Sequence, residues 1–120
     1  MSDARAVILT VPARPDYLVL ARLALSAVCR LTQLRSEDVS DLKLALTEAA
    51  GGMVREDGEV RFSFDLGEEA LQVRIGSANG GGAPAEQDEL SHAIVAATVD
   101  DYAYADGEVR LVKYLVGSDE

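Results

Sequence analysis

Residues 42–54 read LKLALTEAAGGMV, and the spacing of their apolar residues is the strongest indication of the fold that we expect. Leu42, Leu46 and Ala49 recur at the spacing of a helix with one apolar face, which predicts an amphipathic helix from about residue 37 to residue 50. At roughly 100° per residue, Glu48 lies about 120° from the middle of that face. A carboxylate there, beside the apolar Leu44, indicates that something binds or packs against this side of the helix.

The segments around this helix complete an α+β pattern. Strands are expected at 6–11, 59–66 and 71–77, and a final hairpin at 101–105 and 108–116 turns on Asp106-Gly107. Two more helices are expected, at 17–34 and 89–99. Ser36 is a suitable N-cap for the central helix. The order βααββαββ predicts one domain over residues 1–120, a two-layer sandwich in which helices cover one face of a mainly antiparallel mixed sheet.

Two sets of residues are expected to form the inside of this sandwich. The helices should contribute Leu25, Val28, Leu42, Leu46 and Ala49, and the strands Phe62, Phe64, Val73 and Ile75. In the last helix, the apolar spacing predicts an inner stripe of Leu90, Ala93, Ile94, Ala97 and Thr98. Arg61, Ser63 and Asp65 alternate with apolar residues along their strand and should face water.

Composition and charge exclude several classes of function. The chain has 120 residues, a formal net charge of −10 and a pI near 4.4, so phosphate backbones are repelled and nucleic acid is not an expected partner. No apolar run approaches the roughly 20 residues that cross a bilayer, and the first residues lack the features of a signal peptide. We therefore expect a cytoplasmic protein. Cys29 has no second cysteine to pair with and is expected to be a packed core thiol.

Three segments together resemble a known family. Val11-Pro12-Ala13 stands before a helix that carries Arg22, residues 36–49 read SEDVSDLKLALTEA, and VDDY at 99–102 is followed by GEVRLVKYL. In order and spacing these segments resemble the anti-sigma-factor serine kinases of bacteria, which belong to the GHKL (Bergerat-fold) ATPases. The resemblance covers nearly the whole chain. It implies a histidine-kinase-like ATPase fold, a homodimer, and a sigma factor, an anti-anti-sigma protein or both as partners.

The first family motif is Glu-x-x-x-Asn on the central helix. Its carboxylate accepts the proton of the attacking hydroxyl, and its asparagine oxygen binds magnesium beside the triphosphate. Glu48 matches the catalytic carboxylate, whereas Gly52 stands at the asparagine position and has no side-chain oxygen. The alternatives are that Glu48 is a helix-surface glutamate and that Gly51-Gly52 is a left-handed helix cap.

The second family motif is Asp-x-Gly-x-Gly, whose aspartate binds the adenine amino group. Here Ser77 replaces the aspartate and Asn79 the first glycine, while Gly81 matches. A serine hydroxyl accepts a hydrogen bond, but without charge and with a shorter reach. The alternative is a flexible glycine-rich connection.

The third family motif is a Gly-x-Gly-Leu type lid over the phosphates. The corresponding residues 83–90 read APAEQDEL, with no glycine and with three acidic side chains where phosphates would approach. His92 follows on the last helix and is expected to have a structural or surface role, because no second metal ligand accompanies it. No metal site is expected.

Two classes of function follow. The first is a regulatory protein that has a degenerate ATP site and sequesters a partner; it needs no cofactor. The alternative is a divergent ATP-dependent serine/threonine kinase of an anti-anti-sigma partner, which uses ATP and magnesium if the site still works. A third option is a dimerisation scaffold. Losing three motifs disfavours phosphoryl transfer, which depends on positioning and charge neutralisation.

The resemblance also implies where a partner binds. In the family, the first strand, the first helix and the adjoining end of the second helix contact partner proteins. Arg14, Asp16, Arg22 and Arg30 are the polar residues placed to reach outward there. Arginine is favoured at interfaces because its planar group donates several hydrogen bonds. The alternative is that these arginines are solvated and contact no partner.

Overall fold

The computed structural model describes residues 5–54, 58–78, 89–105 and 107–115. Within these ranges the elements follow the predicted order βααββαββ, with one short 3-10 turn, Pro15–Tyr17, ahead of the first helix. The elements are β1 (Arg5–Pro12), α1 (Leu18–Cys29), α2 (Ser36–Gly51), β2 (Glu59–Leu66), β3 (Ala70–Ser77), α3 (Glu89–Thr98), β4 (Asp101–Ala105) and β5 (Glu108–Tyr114).

The strands form one sheet in the order β1-β2-β3-β5-β4, and each pairing that the structure describes is antiparallel. The α3 crossover between β3 and β4 returns the chain so that β5 lies beside β3. Gly107, at a φ of 74°, makes the turn between β4 and β5, because glycine enters the left-handed region without a steric penalty. The expected α+β sandwich is confirmed.

The core lies between the helices and one face of the sheet, as the alternation of β2 and β3 predicts. Phe62 and Phe64 have no exposed surface, and neither do Val73 and Ile75 beside them on β3. All the predicted core residues are buried: Leu25, Val28, Leu42, Leu46, Ala49, Phe62, Phe64, Val73 and Ile75. Burying such side chains contributes roughly 1.5–3 kcal/mol each. This shared core holds α1 and α2 in fixed positions on the sheet.

Both helix termini near residue 35 differ from the expectation. α1 ends at Cys29 instead of continuing to residue 34, because the Thr32 hydroxyl donates to the Cys29 carbonyl over 2.7 Å and accepts from the Leu34 N–H. At the start of α2, Arg35 is the N-cap residue and Ser36 is already helical. The Asp38 carboxylate accepts the Arg35 N–H over 3.3 Å, so the cap depends on Asp38.

The expected inner stripe of α3 is largely wrong. Leu90 is 69% exposed and Ala93 and Ala97 are exposed, whereas the buried Val95 was not expected in the stripe. Thr98 is buried as expected. Apolar residues occur all round this alanine-rich helix, so spacing does not select one face. Thr98 can be buried because its hydroxyl donates to the Ile94 carbonyl over 2.8 Å, which satisfies the polar group.

The helix-free face of the sheet also departs from the expected alternation, since Ser63 is 7% exposed instead of facing water. Asp65 and Arg74 form an ion pair of 2.9 Å beside it, and the Ser63 hydroxyl donates to Asp65 over 3.2 Å. These neighbours shield Ser63 from solvent. In the described ranges, no helix combines the length and the apolar character needed to cross a membrane.

Candidate functional site

Glu48 lies near the C-terminal end of α2 and is half-buried. Its neighbours Ala45 and Ala49 have no exposed surface, because they belong to the helix face that covers the sheet. Glu48 projects from another side of α2, where α3 packs against it. The prediction that something packs against the Glu48 side of α2 is confirmed, because α3 packs there.

The Glu48 carboxylate accepts a hydrogen bond from the Ser91 hydroxyl on α3, with 3.0 Å between Oγ and Oε1. This distance is within the range in which a general base takes a proton from a hydroxyl group. Ser91 was not among the residues predicted for the site. The arrangement can hold a hydroxyl group in front of a carboxylate, and here that hydroxyl belongs to the chain itself.

An aromatic cluster lies behind this contact. The His92 ring stacks on Tyr104, with 4.2 Å between centroids and 13° between planes, and Tyr102 meets Tyr104 edge-on. Burial of the phenol, and then the charges of Tyr102 and Glu48, raise the pKa of Tyr104. His92 therefore stacks between α3 and β4, in agreement with the structural role expected for it. The charge of Glu48 acts on Tyr104 of this cluster.

Gly52 follows the last residue of α2 as its C-cap and has a φ of −75° and a ψ of −6°. The expected left-handed glycine cap is therefore wrong at this position, because this right-handed conformation is open to any residue. The Gly52 N–H donates to the Ala49 carbonyl over 3.3 Å, which continues the helical turn. A side chain at this position would need no unusual backbone geometry.

These residues do not fit the magnesium ion that the resemblance implies. Magnesium needs hard oxygen ligands, and position 52 supplies no side-chain atom. Among the described residues, no group of three or more histidine, cysteine, aspartate or glutamate side chains is arranged to hold a metal ion. We therefore derive no reaction step through magnesium.

Ser77 is the last residue of β3, is half-buried and lies opposite Val60 of β2. The Ala78 N–H donates to the Glu59 carbonyl over 2.9 Å, which extends the pairing of β2 and β3 by one residue. Ser77 is thus fixed at the end of a central strand, as predicted. Asn79 and Gly81 lie outside the described residues, as do residues 83–88 of the lid.

The four predicted partner-binding residues lie on or next to α1. Arg14 and Asp16 are exposed ahead of the helix, Arg22 is half-buried within it, and Arg30 is exposed at its C-cap. Residues 14–35 contain four arginines and one aspartate, a net charge of +3 in a chain of net charge −10. The basic residues are thus concentrated around one helix.

α1 also exposes apolar side chains that the sequence analysis did not single out. Leu20 is 43% exposed, Leu23 60% and Leu31, just beyond the helix, 70%. Residues three and four positions apart share one side of a helix, so Leu20 and Leu23 lie on the same side. We call residues 14–31, with these leucines and the predicted polar residues, the α1 surface. Mixed apolar and arginine surfaces are typical of protein interfaces.

The chain is similar in sequence to several bacterial serine-protein kinases. It is 36% identical over 75 residues to serine-protein kinase RsbW of Listeria innocua serovar 6a, which covers 58% of this chain and 48% of the relative. It is 34% identical over 104 residues to serine-protein kinase RsbW of Bacillus pumilus, with 78% and 63% covered. The corresponding RsbW of Oceanobacillus iheyensis is 33% identical over 81 residues.

These similarities cover part of each relative. The chain spans about half the length of the first curated relatives that it matches. No model of a known protein family matches this chain. The names of the relatives favour the kinase alternative over the expected binding protein without activity.

Proposed function

We propose that this chain is an anti-sigma-type regulator that binds protein partners. Its sequence similarity to serine-protein kinases RsbW and its α+β fold support this proposal. Its partners are a sigma factor, an anti-anti-sigma protein or both. It acts in the cytoplasm of a bacterium as a homodimer and controls transcription by sequestering a partner.

The α1 surface is the observation that carries this proposal. Leu23 is 60% exposed and Leu31 70%, and both are flanked by arginines. When a partner covers exposed apolar side chains of this size, the free energy of binding becomes more favourable by roughly 25 cal/mol per Å² of apolar surface removed from water. The α1 surface has three arginines and one aspartate, and this net charge of +2 attracts an acidic partner, although the whole chain is acidic. Arg14, Asp16, Arg22 and Arg30 are the proposed polar contacts.

Serine kinase activity toward an anti-anti-sigma protein is the second candidate. Two observations favour it: the matched relatives are named serine-protein kinases, and Glu48 already accepts a hydrogen bond from a serine hydroxyl over 3.0 Å. In this function Glu48 takes the proton from the acceptor hydroxyl of the partner. ATP would supply the phosphoryl group, with Gly52, Ser77, Asn79 and Gly81 at the nucleotide-binding positions.

The nucleotide-binding positions weaken this second candidate. Gly52 and Ser77 replace the two anchoring groups of the family. The serine lacks the charge of the aspartate, and a lost charge-assisted hydrogen bond costs about 1.5–3 kcal/mol, or roughly ten- to hundredfold in affinity. The glycine lacks the oxygen that binds magnesium. We therefore propose that binding of ATP is weak and that binding of the partner is the principal activity.

The test is capture of the sigma factors and anti-anti-sigma proteins encoded in the same genome on the immobilised chain, with and without ATP and magnesium. We expect one or more of them to bind stoichiometrically in both conditions. Failure of every such protein to bind would refute the anti-sigma assignment. Transfer of phosphate to a captured protein, lost in Glu48→Gln, would replace the binding function with the kinase.

A further inference from the structure

The buried side chains of α3 lie away from its first turn. The buried residues of α3 are Val95 and Thr98, both in its C-terminal half. In the N-terminal half, Glu89 and Leu90 are exposed and Ser91 is half-buried. Ser91 and His92 are therefore the half-buried residues through which the first turn of α3 contacts its neighbours.

The contact between Ser91 and Glu48 supplies such a placement. Its 3.0 Å hydrogen bond joins the third residue of α3 to α2, a helix fixed in the core by Leu46 and Ala49 on its other side. An acceptor that carries a full charge makes this bond stronger than a bond between neutral groups. Stacking of His92 on Tyr104 then holds the same turn of α3 against β4.

We propose that Glu48 is a positioning residue, which fixes the first turn of α3 on α2 through its hydrogen bond with Ser91. This function departs from the catalytic function that the resemblance implies for Glu48. It agrees with the glycine at position 52, which has no side-chain oxygen to bind magnesium. Without that ligand the nearby Glu48 is not needed for phosphoryl transfer and can have a structural role. The proposal concerns the free protein and does not depend on the proposed partners.

Hydrogen exchange of the α3 amides tests this proposal on the full chain. Glu48→Ala and Ser91→Ala are each expected to speed exchange at residues 92–95 by roughly ten- to hundredfold, the equivalent of one hydrogen bond to a charged group. The effects of the two single variants should combine to less than their product in the double variant, because both remove the same bond. Glu69→Ala, which removes an exposed glutamate between β2 and β3, is the matched control and should leave α3 unchanged.

Glu48→Gln separates positioning from catalysis. Glutamine still offers an oxygen to the Ser91 hydroxyl, so this variant should restore most of the exchange protection that Glu48→Ala loses. It cannot act as a general base. Addition of millimolar ATP and magnesium to the wild-type protein should leave the exchange of α3 as it was.

Three results would overturn the proposal. These are unchanged exchange in Glu48→Ala, effects of the two single variants that multiply in the double variant, and protection of α3 that develops on addition of ATP. Failure to capture any partner, with α3 behaving as described, would refute the proposed function and leave this inference standing.

Discussion

Ser91 and Glu48 lie 43 residues apart in the chain and meet through one hydrogen bond of 3.0 Å. The contact places a hydroxyl group of the protein in front of the carboxylate that the resemblance identifies as the catalytic base. In our proposal this contact gives the carboxylate a structural role between α2 and α3.

The core prediction concerns Leu46, which has no exposed surface. Leu46→Asp should lower the free energy of unfolding by several kcal/mol, because it places an unpaired charge among apolar side chains. Leu44→Asp is the matched control: it lies on the same helix but is 45% exposed, and should change stability by roughly 0.5 kcal/mol or less. Urea denaturation measures both. If the Leu46→Asp variant were as stable as the wild type, Leu46 would not be a core residue.

The nucleotide prediction concerns the two altered anchors. Gly52→Asn combined with Ser77→Asp should raise affinity for ATP in the presence of magnesium by at least the roughly ten- to hundredfold of one restored charge-assisted hydrogen bond. The φ of −75° at Gly52 means that asparagine fits without backbone strain. Isothermal titration calorimetry measures the change.

Gly51→Asn is the control for this pair, since its added side chain meets open space one residue away from the family position. It should leave the affinity unchanged. Tight, magnesium-dependent binding of ATP by the unaltered chain would show that Gly52 and Ser77 do not weaken nucleotide binding.

The surface prediction concerns charge on α1. Arg22→Glu should abolish capture of the partner while the melting temperature stays close to that of the wild type, because the α1 surface depends on its positive charge. Arg110→Glu makes the same charge change at an exposed residue on β5 and should leave capture intact. Affinity chromatography, with circular dichroism to follow folding, separates the two. Equal loss of capture in both variants would indicate a general effect of charge and not a specific surface.

The pH prediction concerns Cys29, which is buried in the core. Burial raises the pKa of this thiol from its ordinary value of 9.0 to about 11, although the nearby Lys43 lowers it slightly. The folded state therefore retains a proton that the unfolded state releases, and stability is lost as the pH rises from about 9 to about 11. The loss is about 2–3 kcal/mol at most.

Cys29→Ala isolates this contribution, because it lacks the titrating group. Its free energy of unfolding should fall less steeply than that of the wild type over the same pH range. Parallel curves for the two proteins would show that the thiol does not titrate differently on folding.

Most of the fold could be predicted from residues that alternate or repeat locally. Phe62 and Phe64 on a strand, and Leu42 and Leu46 on a helix, show one apolar face at the period of their element, so the layers could be predicted. The buried face of α3 could not be predicted, because alanines lie all round this helix. The spacing of its apolar residues does not show that Val95 is buried and Leu90 exposed.

The site was only partly predictable for a related reason. Glu48 could be identified from its neighbours in sequence, since the helix motif is local. Ser91 and Tyr104 carry no local signal and acquire a role through the packing of α3 against α2 and β4. The conformation of Gly52 also depends on the continuing helical turn, which its sequence does not reveal.

The mass of the captured partner after incubation with ATP and magnesium, compared for the wild type and Glu48→Gln, separates binding from phosphoryl transfer. We expect both proteins to capture the partner equally well and neither to add phosphate to it. A phosphorylated partner with the wild type, and an unmodified one with Glu48→Gln, would instead identify Glu48 as the base of a serine kinase.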